Sequence, residues 1–174
     1  MTGLDNIFPS GLRVVFCGTA VATASAAQGH YYAGPGNKFW WLLHQSGLTP
    51  TQLRPADDSR LPDFGLGLTD LSDAVQSHDR GLRYDVPAFV EKVAERSPSW
   101  VAFTSRTAAQ QVARSLGRQK PALGEQQWAL GPIRVFVLPS PSGSSADPRH
   151  WAPKVSKLAW WSELTALAGR GPLT

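Results

Sequence analysis

The sequence predicts an α/β fold: a three-layer αβα domain around a central, mostly parallel sheet of about four strands. Three observations carry this. The runs LRVVFCG (residues 12–18), WVAFTS (100–105) and IRVFVLP (133–139) are β-branched or aromatic and almost continuously apolar, as in strands buried on both faces. Segments with helical spacing separate them, and strand–helix–strand order with right-handed crossovers builds a parallel sheet. A chain of 174 residues with 42% apolar content is long enough for one domain with its own core, residues 1–174, and short for two.

The elements follow in order. Residues 12–18 form the first strand and break at Gly18. A long small-residue stretch, residues 19–36, then precedes NKFWWLLHQSG (37–47), which reads as a helix stopped by Gly47. A stretch this long without its own structure inside a compact domain usually serves a function. PDFGLGLTDLSDAV (62–75) is ambiguous. DVPAFVEKVAERSP (85–98) is a helix with Asp85 as N-cap and Pro87 in its first turn. After the strand at 100–105, RTAAQQVARSLG (106–117) is a helix ending at glycine. LPSPSGSSADPRH (138–150) is a Ser/Pro/Gly loop, and HWAPKVSKLAWWSELTALAG (150–169) is a closing helix expected to start near Pro153.

Composition narrows the function classes. The single cysteine, Cys17, excludes an internal disulfide and a cysteine cage for zinc; at the end of an apolar run it reads as a buried, inert thiol. No apolar run reaches the ~18 residues of a membrane span, and the start MTGLDNIFPSGLR lacks the regions of a signal peptide. A cytoplasmic protein is expected, on the nucleoid in a bacterium. Residues 1–100 hold eight Lys/Arg and ten Asp/Glu, whereas residues 101–174 hold nine Lys/Arg and three Asp/Glu. A basic half fits a polyanionic partner, or simply a solvated basic surface.

Ligands of such sheets bind beyond the carboxyl ends of the strands. Gly18 onward, Ser105 onward and Ser140 onward occupy such ends. No phosphate-cradling G-x-x-x-x-G-K-[ST] or G-x-G-x-x-G follows the first strand, no G-x-S-x-G elbow occurs, and His30, His44, His78 and His150 are scattered rather than clustered as ligands. A nucleotide-dependent enzyme is thus disfavoured, and no metal or organic cofactor is expected.

Three pieces in order carry a resemblance: VVFCG, then GPGNKFWWLLHQSGLTPTQL, then VFVLPSPSG at 135–143. Together they resemble the uracil-DNA glycosylase superfamily, and within it the mismatch-specific uracil-DNA and thymine-DNA glycosylase branch, over roughly residues 12–165. That branch carries V-F-C-G-[IV]-N-P-G, an H-P-x-N-[RK]-F-W-like helix opening and a V-L-P-[NS]-[PT]-S-G-like loop. The resemblance implies a monomer that flips a base from double-stranded DNA, with single-stranded DNA as a further candidate partner. It implies backbone contacts to uracil from Thr19 and Ala20, stacking by Tyr32, Ser25 at the uracil C5 edge, and Asn37 and Ser140 at the substrate. Gly143, Ser144 and Ser145 would meet DNA. The other reading of Tyr32 is an exposed loop tyrosine, which its spacing in the motif disfavours, and asparagine is a preferred helix cap in any case.

Two departures from the branch matter. Ala20 stands where the branch has the asparagine that orients the attacking water, and a methyl group cannot hold water. Ser144 and Ala146 stand where it inserts a leucine followed by an arginine, and serine is a poor apolar wedge; Arg149 could partly substitute by contacting phosphate. A relocated catalytic group would be an acid, because a carboxylate orients water and offsets oxocarbenium charge. Asp5 and Glu163 lie in terminal segments. Glu91 and Glu95 share a solvated helix face. Asp57, Asp58, Asp63 and Glu125 sit in polar connections, Asp79 in a turn, and Asp147 beside the expected phosphates. Asp70 remains, in Thr69-Asp70-Leu71, matching a Thr-[Lys/Asn]-[Leu/Met] unit of the branch; Asp73 reads as solvated or capping. The expectation is a monofunctional uracil-DNA glycosylase, active on U opposite G, with Asp70 catalytic and no Schiff-base lysine. The alternative is a DNA-binding relative that lost catalysis.

Overall fold

A computed structural model describes residues 3–76 and 83–169; the turn expected around His78 and Asp79 lies outside the described residues. In chain order the elements are β1 (Val14–Gly18), β2 (Val21–Ala22), α1 (Thr23–Gln28), α2 (Phe39–Gln45), a 3₁₀ segment (Pro55–Phe64), β3 (Leu66–Asp70), β4 (Val75–Gln76), α3 (Val86–Arg96), β5 (Trp100–Phe103), α4 (Arg106–Ser115), β6 (Gly124–Leu130), β7 (Ile133–Val137), a 3₁₀ turn (Pro148–His150) and α5 (Lys157–Ala168).

Five strands form one sheet in the order β3-β1-β5-β7-β6, with only β6 antiparallel. The expected parallel strands are all present. The ambiguous stretch at 62–75 resolves into β3, which pairs with β1 so that Gly18 lies beside Asp70. The strand absent from the sequence reading is β6. Its GEQQWAL alternates exposed and covered positions along a sheet edge, so polar residues fill half of it. Glu125 is therefore in a strand rather than a connection, and it pairs across the hairpin with Arg134 at 2.7 Å.

Side-chain alternation along β1 builds both outer layers. Val14 and Phe16 enter one core, where Phe16 meets Phe39 of α2 edge-on at 5.3 Å and stacks on Trp161 of α5 at 5.6 Å. Val15 and Cys17 enter the other, with Phe89 and Val93 of α3 and Ala108, Ala109 and Val112 of α4. Both cores are built of buried apolar side chains, which is why the strands read as continuous apolar runs. Each well-defined helix start has its own cap: Asp85 accepts from the Ala88 N–H at 3.0 Å, Ser105 from Ala108 at 3.3 Å and Ser156 from Ala159 at 3.1 Å. The Ser156 cap sets the start of α5 at Lys157, later than the expected Pro153.

The stretch after β1 is more ordered than a plain loop. Val21–Ala22 pair in parallel with Val75–Gln76, and a short helix follows that ends at Gly29 in the left-handed region, φ 75°. No helix among the described residues is long and apolar enough to cross a membrane.

The amino-terminal segment closes the β3 edge. Ile7 exchanges both backbone hydrogen bonds with Leu68, at 3.0 and 2.7 Å. A Cβ at Gly67 would overlap the Ile7 carbonyl and Leu12 Cδ1, so this close approach requires glycine. Gly67→Ala should destabilise the fold by roughly 1–3 kcal/mol, as overpacked cores do. A lower urea midpoint at unchanged slope is the expected reading; an unchanged midpoint would show that the segment yields freely.

Candidate active site

Parallel pairing sends the carboxyl ends of β3, β1, β5 and β7 to one edge of the sheet. A cavity of about 800 Å³ opens there, lined from Gly18 to Ala22, by Asp70, from Thr104 to Thr107 and from Ser140 to Ser145. This is the rim on which the sequence placed ligand chemistry.

The cavity floor is built around Gly18. The nearest atoms to a Cβ placed on Gly18 would be Asp70 Oδ1 at 2.8 Å, Thr104 Oγ1 at 3.5 Å and Tyr32 Oη at 3.7 Å. Glycine at this strand end thus lets three polar side chains converge on one point. Tyr32 Oη and Thr104 Oγ1 are hydrogen-bonded at 2.9 Å.

Asp70 is the last residue of β3. Burial pushes its carboxyl up to about 8; the Lys92 ammonium opposes that rise, Asp73 adds to it, and a hydrogen bond from the Gly18 N–H opposes it. The half-buried carboxyl lines the cavity with too few partners to hold its charge at ordinary acidity. Such a group in a cleft is the usual mark of a residue kept for chemistry. Lys92 itself is pinned by Thr69 Oγ1 at 2.9 Å and Asn6 Oδ1 at 3.2 Å.

Tyr32 lines the cavity from an unusual backbone, φ 52°, that non-glycine residues seldom adopt. Its ring stacks on Phe39, centroids 4.0 Å apart and 12° from parallel. Phe39 is fully buried, so Tyr32 is the ring of this pair that lines the cavity. The backbone below is anchored by Asp58, which accepts from the Tyr31 N–H at 3.1 Å and meets His30 Nδ1 at 3.3 Å. Asp58 is only 7% exposed, so this residue of a supposed polar connection is an internal brace.

The other expected site residues also gather here. Thr19, Ala20, Ser25, Asn37, Ser140, Gly143, Ser144 and Ser145 all line the cavity. Ser25 is buried and its Oγ accepts from the Ala33 N–H at 3.0 Å. The N-cap of α2 is Lys38; Asn37, one residue before it, accepts from the Phe39 N–H through Oδ1 at 3.0 Å while lining the cavity. Ser140 Oγ accepts from the Ser142 N–H at 3.2 Å, and the Ser142 and Ser144 hydroxyls lie 2.9 Å apart. Gly143 rests directly on Gly36; a Cβ there would come within 2.9 Å of the Gly36 carbonyl oxygen. Arg149 does not line the cavity: its guanidinium is paired with Asp147, Nη2 to Oδ2 at 2.6 Å.

Sequence reasoning missed Thr104, Arg106, Thr107 and His150, all of which line the cavity. The first three follow β5 (Trp100–Phe103), and that strand end was itself a usable signal. Nothing local marks His150. Cys17 is fully buried beneath the floor and burial pushes its thiol well up, as an inert thiol requires.

Two comparisons bear on this arrangement. The family model described as the uracil DNA glycosylase superfamily matches residues 6–165. The fold is also similar to a solution NMR structure from Methanosarcina acetivorans described as that of a "putative Uracil DNA glycosylase", with a TM-score of 0.61 and 19% identity, covering 97% of this chain and 100% of that one.

Proposed function

The chain belongs to the uracil DNA glycosylase superfamily, and from that premise we propose that it removes uracil, including uracil opposite guanine, from DNA by hydrolysis of the N-glycosidic bond. The observation that carries this reading is Asp70 against Gly18, at the edge of a cavity that also holds Tyr32 and Thr104.

In this reading the flipped uracil enters the cavity and stacks against Tyr32. Backbone N–H groups of the Thr19–Ala20 turn approach its oxygens, because small side chains leave that backbone accessible. As the bond from N1 to C1′ breaks, the sugar takes on oxocarbenium character and the base leaves with the bonding electrons as an anion. The ionised Asp70 carboxylate offsets the positive sugar and orients water toward C1′. The water oxygen bonds to C1′, its proton passes to Asp70, and the uracil anion takes a proton from solvent. The products are free uracil and an abasic site. The enzyme works as a monomer and as a plain hydrolase, in the cytoplasm.

Ala20 favours a second reading, a relative that binds DNA without cutting the base free. Incubating excess protein with a labelled duplex that carries one uracil opposite guanine separates the two. Uracil release followed by alkaline scission at the abasic site is the expected result. Binding of that duplex with no release of base would leave the DNA-binding reading standing and end the enzymatic one.

A further inference from the structure

A protein that grips DNA needs cations whose charge is not already spent. In this chain several are. Arg149 is paired with Asp147, Arg134 with Glu125 while lying over Trp100, and Lys154 with Glu163 at 3.6 Å. Arg106 belongs to the cavity wall already described.

Two lysines bonded to the cavity-lining turn at 141–144 differ. The Lys38 N–H donates to the Pro141 carbonyl at 2.9 Å, and Lys157 Nζ donates to the Ser142 carbonyl at 3.1 Å. Consecutive carbonyls of one cavity-lining turn therefore tie both residues to the same place, although they are far apart in sequence. Among the described residues neither ammonium has a carboxylate partner. Lys38 lies over the ring of Trp41 at 5.6 Å, an indole that is 45% exposed. Lys157 spends one of its three N–H donors on Ser142 and keeps two. Burial lowers its pKa first and the Lys38 charge lowers it further, so the two cations repel each other. An anion between them would relieve that repulsion, and the Ser142 and Ser144 hydroxyls of the same turn lie close by.

We propose that Lys38 and Lys157 form a phosphate-holding pair that seats one DNA phosphodiester next to the flipped nucleotide, against the 141–144 turn. The proposal rests on the DNA glycosylase reading of the cavity. It also gives the weak wedge at Ser144 a counterpart: the pair holds the backbone where the inserted side chain is small.

The test uses duplexes with one 2′-fluorinated deoxyuridine, which resists cleavage, and with single methylphosphonates placed in turn at each phosphate flanking it. Binding is followed by fluorescence anisotropy against salt for the wild type, Lys38→Met, Lys157→Met, the double variant and Lys157→Arg. Each lysine removed should lower the slope of log affinity against log salt by about 0.9, which is about eightfold in affinity at 0.1 M salt. Lys157→Arg should keep the wild-type slope. One methylphosphonate position should weaken the wild type and leave the double variant unaffected. Arg118→Met, beyond the far end of α4, should keep the full slope. Unchanged slopes in both single methionine variants, or methylphosphonate losses equal in the wild type and the double variant at every position, would overturn the pair. The release rate on ordinary uracil at saturating protein reports the chemistry separately. Normal release with unchanged slopes discards the pair alone; altered slopes with no release discard the glycosylase alone.

Discussion

Asp70→Ala should release uracil about 10²–10⁴ times more slowly than the wild type, the usual contribution of a positioned acid–base group. Asp70→Asn should fall between the two, because the amide keeps the shape and can still orient water but carries no charge. DNA binding should survive in both. The acid dependence follows from the buried carboxyl, raised to about 8. The ionised form is the active one, so log kcat/KM should climb with unit slope up to about pH 8 and flatten above it. That rise should vanish in Asp70→Asn. The Ala20 backbone runs beside the end of β3, where the Leu71 and Ser72 N–H groups donate to the Gly18 and Thr19 carbonyls at 3.0 and 2.9 Å. Ala20→Asn in the Asp70→Ala background should therefore recover part of the lost rate by holding the water from the adjacent strand. Wild-type release by Asp70→Ala would remove Asp70 from the mechanism.

The same carboxyl should cost the protein stability as the pH rises. Unfolded, the aspartate loses its proton near its ordinary 3.8; folded, it keeps the proton until about 8. Between those values the native state holds a proton that the unfolded state has released, so raising the pH favours unfolding. The loss is about 1.4 kcal/mol for each pH unit in that window, absent below it and complete above it. Asp70→Asn has no proton to lose and can still accept from the Gly18 N–H. It should be more stable than the wild type by on the order of 4 kcal/mol at pH 7. Urea denaturation of both proteins at pH 5 and pH 8 reads this directly: the gap should widen at the higher pH. An equal gap at both would mean that the carboxyl is not held protonated by the fold. A mutation that stabilises while it slows the reaction is the signature of a site built at the expense of the fold.

Local rules, readable along the chain, decided most of the architecture. Continuous apolar runs identify β1, β5 and β7, because a strand covered on both faces has no room for polar side chains. Asp85 marks the start of α3 because a helix end leaves N–H groups that a short acceptor side chain satisfies. The motifs around Gly18, Asn37 and Ser140 were legible too, since each lies where a strand ends or a helix opens. Asp70 emerged as the last acid without a better use. What the chain could not show is convergence. Strand β6 hides because an edge strand is half polar, and only its partner β7 reveals which half. Asp58 reads as solvated until the fold lays the Tyr31 backbone against it. Arg149 reads as a free cation until the turn brings Asp147 to its guanidinium. Lys38 and Lys157 reach one turn only because α2 and α5 cover the same face of the sheet. Local spacing determines which elements form and which face each one buries, whereas side chains from distant elements become neighbours only through the strand order β3-β1-β5-β7-β6. That order is set by how the elements pack on the two apolar cores, an energy that no single stretch of sequence contains.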